Sequence, residues 1–154
     1  MEHSKEFEKL VTDIKPNIKE ISVEETLERI ENGATLIDVR EDNEWDADHA
    51  KGAEHIGRGV IERDIVWKYP DKEKELILYC GGGYRSALAA DNLQKMGYRQ
   101  VFSMIGGWTA WKEAAAPISM CKLVQRTSIP TVSDRVRPFQ ARTNGSDSTW
   151  SDTI

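Results

Sequence analysis

The chain has 154 residues, enough for one ordinary domain, and 39% of its side chains are apolar, enough for a real core. Its net charge of −5 comes without a polybasic run, which argues against a nucleic-acid surface. No apolar segment approaches the about 20 residues of a membrane span, and the charged start MEHSKEFEKLVTDI has no signal-peptide apolar stretch, so the expectation is a cytoplasmic protein with neither membrane nor nucleic acid as partner.

In chain order, residues 4–13 read as a short amphipathic helix with Phe7, Leu10, Val11 and Ile14 on one side. Ile18 to Ile21 suggests a short strand. Ser22 and Glu25 have capping-box spacing and open a helix over 23–32, with Gly33 placed to follow its end. Thr35 to Val39 reads as a buried strand, residues 42–48 as a helical turn, and Ala53 to Ile56 as a short strand entering a loop. Ile61 to Trp67 reads as a helix stopped by Pro70. Glu75 to Tyr79 is a strand ending at Cys80. Ser86 to Met96 is a helix closed by Gly97, Val101 to Ile105 a strand, and Trp108 to Ala115 a last helix after Gly106 and Gly107. Strands alternating with helices predict an α/β fold with a mostly parallel sheet between helical layers. In such sheets ligands bind beyond the carboxyl ends of strands, where Cys80 falls.

Composition changes near residue 118. Residues 1–118 hold 16 of the 21 basic and 23 of the 26 acidic side chains. The remainder, 119–154, is rich in Ser and Thr and has no sustained period, so it reads as a disordered tail, with a functional basic tail as the alternative. The expected organisation is a helical segment over 1–16, a domain over 17–118 and this tail. Two cysteines, Cys80 and Cys121, are too few for a disulfide framework. With His3, His49 and His55 they show no zinc spacing, so no metal is expected.

The stretch Leu78-Tyr79-Cys80-Gly81-Gly82-Gly83-Tyr84-Arg85-Ser86 concentrates the chemistry. A strand leads out, the chain turns, and a helix begins near Arg85 or Ser86. Successive N–H groups then surround one small anionic group, and the helix dipole favours negative charge there. Glycines permit the left-handed turns and close approach this needs. A helix N-terminus and a neighbouring cation favour a thiolate over a thiol, which makes Cys80 a candidate nucleophile. A small buried cysteine beside a flexible turn is the structural alternative. Four residues separate Cys80 from Arg85, one fewer than in the phosphate-cradling loop of cysteine phosphatases, which suits a smaller group.

The flanking motifs then resemble a known family. Leu36-Ile37-Asp38-Val39-Arg40-Glu41 with Glu44-Trp45 is similar to the opening motif of rhodanese (sulfurtransferase) domains. His49, Gly52-Ala53 and His55-Ile56-Gly57-Arg58-Gly59 resemble the second motif, Tyr79-Cys80 through Arg85-Ser86 the active-site loop, and Gly106-Gly107-Trp108, Ala110-Trp111 and Pro117 the closing segment. Departures fall at Asp48, Ala50 and Gly57, where the family carries Gly, Ile and Pro.

The resemblance implies a rhodanese-like three-layer fold and a thiosulfate sulfurtransferase without metal or organic cofactor. Cys80 would attack a sulfane-sulfur donor such as thiosulfate, become a persulfide and pass the outer sulfur to cyanide or a thiol. The backbone of Gly81, Gly82, Gly83, Tyr84, Arg85 and Ser86 would hold the charged sulfur. Arg85 would bind the donor or fix the loop, and Ser86 would cap the helix or donate to sulfur. Arg58 would line the donor pocket or pair on the surface. Asp38 and Arg40 read as a structural pair, and His49 and His55 as hydrogen-bonding supports. Trp108 reads as packing near the site, and Cys121 as a possible resolving thiol. The acidic run Glu41 to Asp48 reads as a solvated turn, lacking the glycine of a calcium loop. A persulfide relay serving a protein partner and a cysteine-dependent phosphatase or arsenate-handling enzyme are the alternatives.

Overall fold

The computed structural model describes residues 2–120, and the expectations for Cys121 and nearly all of the tail lie outside it. Five parallel strands form the central sheet in the order β1-β6-β5-β2-β4: β1 (Lys19–Ile21), β2 (Thr35–Asp38), β4 (Glu54–His55), β5 (Leu76–Tyr79) and β6 (Val101–Met104). Helices α1 (Lys5–Ile14), α2 (Val23–Glu31), α3 (Asp42–Ala47), α4 (Ile61–Lys68), α5 (Tyr84–Lys95) and α6 (Gly107–Glu113) make the connections and the outer layers.

The period of two in β5 sorts the core. Leu76, Leu78 and Cys80 face one layer with Ile61 and Ile65 of α4 and Ala89, Ala90 and Leu93 of α5. Ile77 and Tyr79 face the other, with Val23 of α2 and Trp108 and Trp111 of α6. All four residues of β5 are fully buried, which explains why the strand reads as an unbroken apolar run. The expected three-layer α/β fold is therefore the fold observed.

Boundaries differ from the sequence reading where glycines and short pairings decide them. The helix expected from Ser86 begins at Tyr84, because Gly83 takes a left-handed conformation (φ 97°) and lets the helix start at once. Residue 48, expected to end a helical turn, instead opens β3 (Asp48–Ala50). It pairs antiparallel with β7 (Ile118–Met120), a strand that reaches two residues past the expected boundary at 118. At α2 the Ser22 side chain accepts from the Glu25 N–H at 3.1 Å, but Glu25 turns to Arg29 and leaves the box half made. No helix among the described residues is long and apolar enough to cross a membrane.

Candidate active site

Cys80 sits at the carboxyl end of β5, the central strand of the five, and is 1% exposed. Its Sγ accepts a hydrogen bond from the Gly83 N–H at 3.1 Å and one from the Ser86 hydroxyl at 3.6 Å. The Ser86 hydroxyl also meets Ser103 of β6 at 2.9 Å. Of the two roles expected for Ser86, helix cap and donor to sulfur, the cap falls to Gly83. Ser86 lies within the first turn of α5, fully buried, and is aimed at the sulfur. The first-turn N–H groups of Tyr84, Arg85 and Ser86 have no carbonyl one turn back to receive them, so they add positive potential at the same place.

The loop's carbonyls are drawn the other way. Trp108 N–H donates to the Cys80 carbonyl at 2.6 Å and Thr109 N–H to the Gly81 carbonyl at 3.2 Å. The N-terminus of α6 thereby fixes the loop from behind. Gly107 makes this approach possible: a Cβ on it would lie 2.2 Å from the Cys80 carbonyl oxygen.

Arg85 makes no hydrogen bond to the sulfur, although it lines the same cavity and the charge of Cys80 acts on it. Its guanidinium grips Glu44 of α3 through two bonds of 2.7 and 3.0 Å, with Glu41 at 3.9 Å. The Glu44 hydrogen bond pushes Arg85 above its ordinary pKa against the opposing effect of burial. The same bond holds Glu44 below the usual carboxylate range. Glu44 is itself oriented by accepting the Glu41 N–H at 3.0 Å. Sequence reasoning placed Glu44 in a solvated acidic turn and missed this role. Its place in the opening motif was the available signal.

The expected structural pair is present: Arg40 makes bonds of 3.1, 3.0 and 2.8 Å to the buried Asp38 carboxylate and one of 2.7 Å to the Asp48 carbonyl. Burial opposes the charge on Arg40, but Asp38 more than offsets it, and the guanidinium also lies 4.8 Å from the Trp108 ring. His49 bonds the Trp45 carbonyl and His55 the Arg40 carbonyl, and the Trp45 ring stacks on both imidazoles, so both histidines support the loop behind the site. Arg58 is corrected. It pairs with Glu62 at 3.3 Å and does not line the cavities at Cys80, because the turn into α4 carries it away.

A cavity of about 490 Å³ opens over Cys80, lined by Gly82, Tyr84, Arg85, Glu44 and, unforeseen from sequence, His3 and Phe7. A second cavity shares His3, Glu44, Gly82, Tyr84 and Arg85 and extends to Arg40, Gly81 and Trp108. Among the described residues no group of three His, Cys, Asp or Glu is arranged to hold a metal ion.

Residues 22–114 match the family model of the Rhodanese-like domain. The chain belongs to the rhodanese-like family. Relatives include a thiosulfate sulfurtransferase GlpE of Haemophilus influenzae, 33% identical over 103 residues, which span 66% of this chain and 95% of that one. Among solved structures, the polysulfide-sulfur transferase homodimer of Wolinella succinogenes is 26% identical with a TM-score of 0.66, covering 76% of this chain and 89% of the other. A Rhodopseudomonas palustris protein of unknown function, described as a possible tyrosine phosphatase, is 25% identical with a TM-score of 0.64, covering 77% of this chain and 98% of the other. The chain thus sits in a family of sulfurtransferases, and its three-layer α/β fold is the one the resemblance implied.

Proposed function

We propose that this protein moves sulfane sulfur from a donor such as thiosulfate to a nucleophilic acceptor, cyanide or a thiol, through a persulfide on Cys80. The observation that carries this reading is the sulfur's setting: two donors aimed at Sγ, and the neighbouring carbonyls tied away by α6. The Cys80 thiolate attacks the outer sulfur of thiosulfate, the S–S bond breaks, and sulfite leaves with the electron pair. The new outer sulfur carries the negative charge. The Gly83 N–H, the Ser86 hydroxyl and the first-turn N–H groups of α5 face that charge, as donors do in an oxyanion hole. An acceptor nucleophile then attacks the outer sulfur and regenerates the thiolate.

The direction of Arg85 argues against a phosphatase. A phosphate cradle needs the cation's donors free for the phosphate, and here both terminal nitrogens of Arg85 are paired with Glu44. The test is intact-mass measurement after incubation with thiosulfate. A one-sulfur adduct is expected on the native chain and not on Cys80→Ser. No adduct, or one that survives Cys80→Ser, refutes the reading.

A further inference from the structure

Every arginine lining the two cavities beside Cys80 is already taken. Arg85 is gripped by Glu44 and Arg40 by the buried Asp38, each through a two-point pair. Neither cavity has a lysine among its lining residues. A dianion such as thiosulfate therefore meets backbone N–H groups, and the carboxylate of Glu44 stands beside the cation that would otherwise draw it in. Opposite lies an aromatic wall: His3 stands 4.5 Å from Tyr84 and 5.1 Å from Phe7, ring centre to ring centre, with Phe7 and Tyr84 5.9 Å apart. His3 and Phe7 precede the residues 22–114 that match the family model, whereas Tyr84 lies within them.

We propose that Glu44 is a specificity-determining residue. By holding Arg85 it sets the site against dianionic donors and in favour of an organic sulfane-sulfur donor with one negative charge, whose carbon end rests on the wall of His3, Phe7 and Tyr84. The proposal rests on the persulfide reading and names the donor class for it. The chemistry balances without another reactant. The Cys80 thiolate attacks the outer sulfur of an organic thiosulfonate (R–SO2–S⁻), the S–S bond breaks, and the sulfinate leaves with the electron pair.

Three probes separate the contributions: thiosulfate, methanethiosulfonate and benzenethiosulfonate, each with cyanide as acceptor. The first two differ mainly by one charge and the last two by the ring. The ratio of kcat/KM for thiosulfate to that for methanethiosulfonate is expected to rise about tenfold in Glu44→Gln, the size of one partly exposed charge contact, through KM for thiosulfate. Glu44→Asp, which keeps the carboxylate, is expected to stay near the native ratio. An unchanged ratio in Glu44→Gln, or equal shifts in both variants, overturns the proposal. Phe7→Ala is expected to lower the advantage of benzenethiosulfonate over methanethiosulfonate about fivefold, in line with lost apolar contact. An unaltered advantage removes the wall.

One measurement needs no variant. With the native chain, kcat/KM for thiosulfate is expected to stay flat or rise with added salt, and a steep fall would reveal an available cation and overturn the proposal. Absence of a Cys80 adduct with all three donors would instead defeat the persulfide reading itself, so the two failures are distinguishable.

Discussion

Gly107→Ala tests how the cysteine loop is held. The new Cβ would sit 2.2 Å from the Cys80 carbonyl oxygen, 2.9 Å from its carbon and 3.0 Å from the Gly81 carbon. All three are backbone atoms, so no side chain can swing aside. Relief requires α6 to back away, which breaks the Trp108 and Thr109 amide bonds to the loop, worth about 1 kcal/mol each. Residue 107 also has φ 52°, a left-handed conformation that costs an alanine about 1 kcal/mol. The expected loss is about 3 kcal/mol, a large share of the 5–15 kcal/mol typical of a domain. Gly97→Ala is the control. Its φ is 99° but its Cβ would meet open space, so only the conformational cost of about 1 kcal/mol applies. Urea unfolding followed by tryptophan fluorescence gives both values. The rate of the Cys80 adduct, read by mass where both variants are folded, should fall in Gly107→Ala alone. If Gly107→Ala is no more destabilising than Gly97→Ala and forms the adduct at the native rate, the loop is not positioned by α6 and the reasoning fails.

Other outcomes follow from the same geometry. Arg40→Ala leaves the Asp38 carboxylate buried without its cation and should cost about 3–5 kcal/mol in urea unfolding, whereas a surface change at Trp67, which is 87% exposed, should stay within about 0.5 kcal/mol. Tyr79 is raised above its ordinary pKa of 10.0 by burial first and then by Asp38, and Tyr69 by burial and Glu54. Because the folded state keeps these protons longer, the stability they confer is full below pH 10 and is lost as pH rises beyond it, so the urea midpoint should start to fall as the pH passes about 10 and keep falling above it, with the tyrosinates of Tyr69 and Tyr79 appearing only on unfolding. Ser86→Ala removes the hydroxyl facing both Cys80 and Ser103 and should slow adduct formation about tenfold while costing about 1–2 kcal/mol of stability, measured by quenched mass analysis and urea unfolding.

The parts of this molecule that could be read from sequence were those set by local pattern. Short apolar runs such as LILY and VFSM exist because those strands are buried on both faces, and their alternation with helices is what makes the sheet parallel. Cys80 and its glycines were legible because a strand end, a turn and a helix start are neighbours in the chain. Glu44 was not legible as the partner of Arg85, since the two are 41 residues apart and a run of acids reads equally well as a solvated turn. His3 and Phe7 gave no signal, because only the packing of α1 on α5 brings them to Tyr84. Arg58 was legible only to a choice of two roles: its motif was recognisable, and the turn into α4 decides for the pair with Glu62. Ser86 looked like a cap because serine favours helix starts, yet the left-handed Gly83 had already taken that position.

The dependence of the cysteine loop on α6 has a consequence for synthesis. Gly81 and its Thr109 partner are 28 residues apart. At about 5–20 residues per second, roughly 1–6 seconds pass on the ribosome between the two. During that interval the emerging chain carries the reactive thiol without the amides that shape its surroundings. The strand β1, made early, waits longer still for its neighbour β6, since the paired Lys19 and Phe102 lie much further apart in the chain. Sulfur-handling competence therefore arrives late and abruptly in the life of each molecule, and a chain stalled before Trp108 would release a bare cysteine in place of a finished transferase.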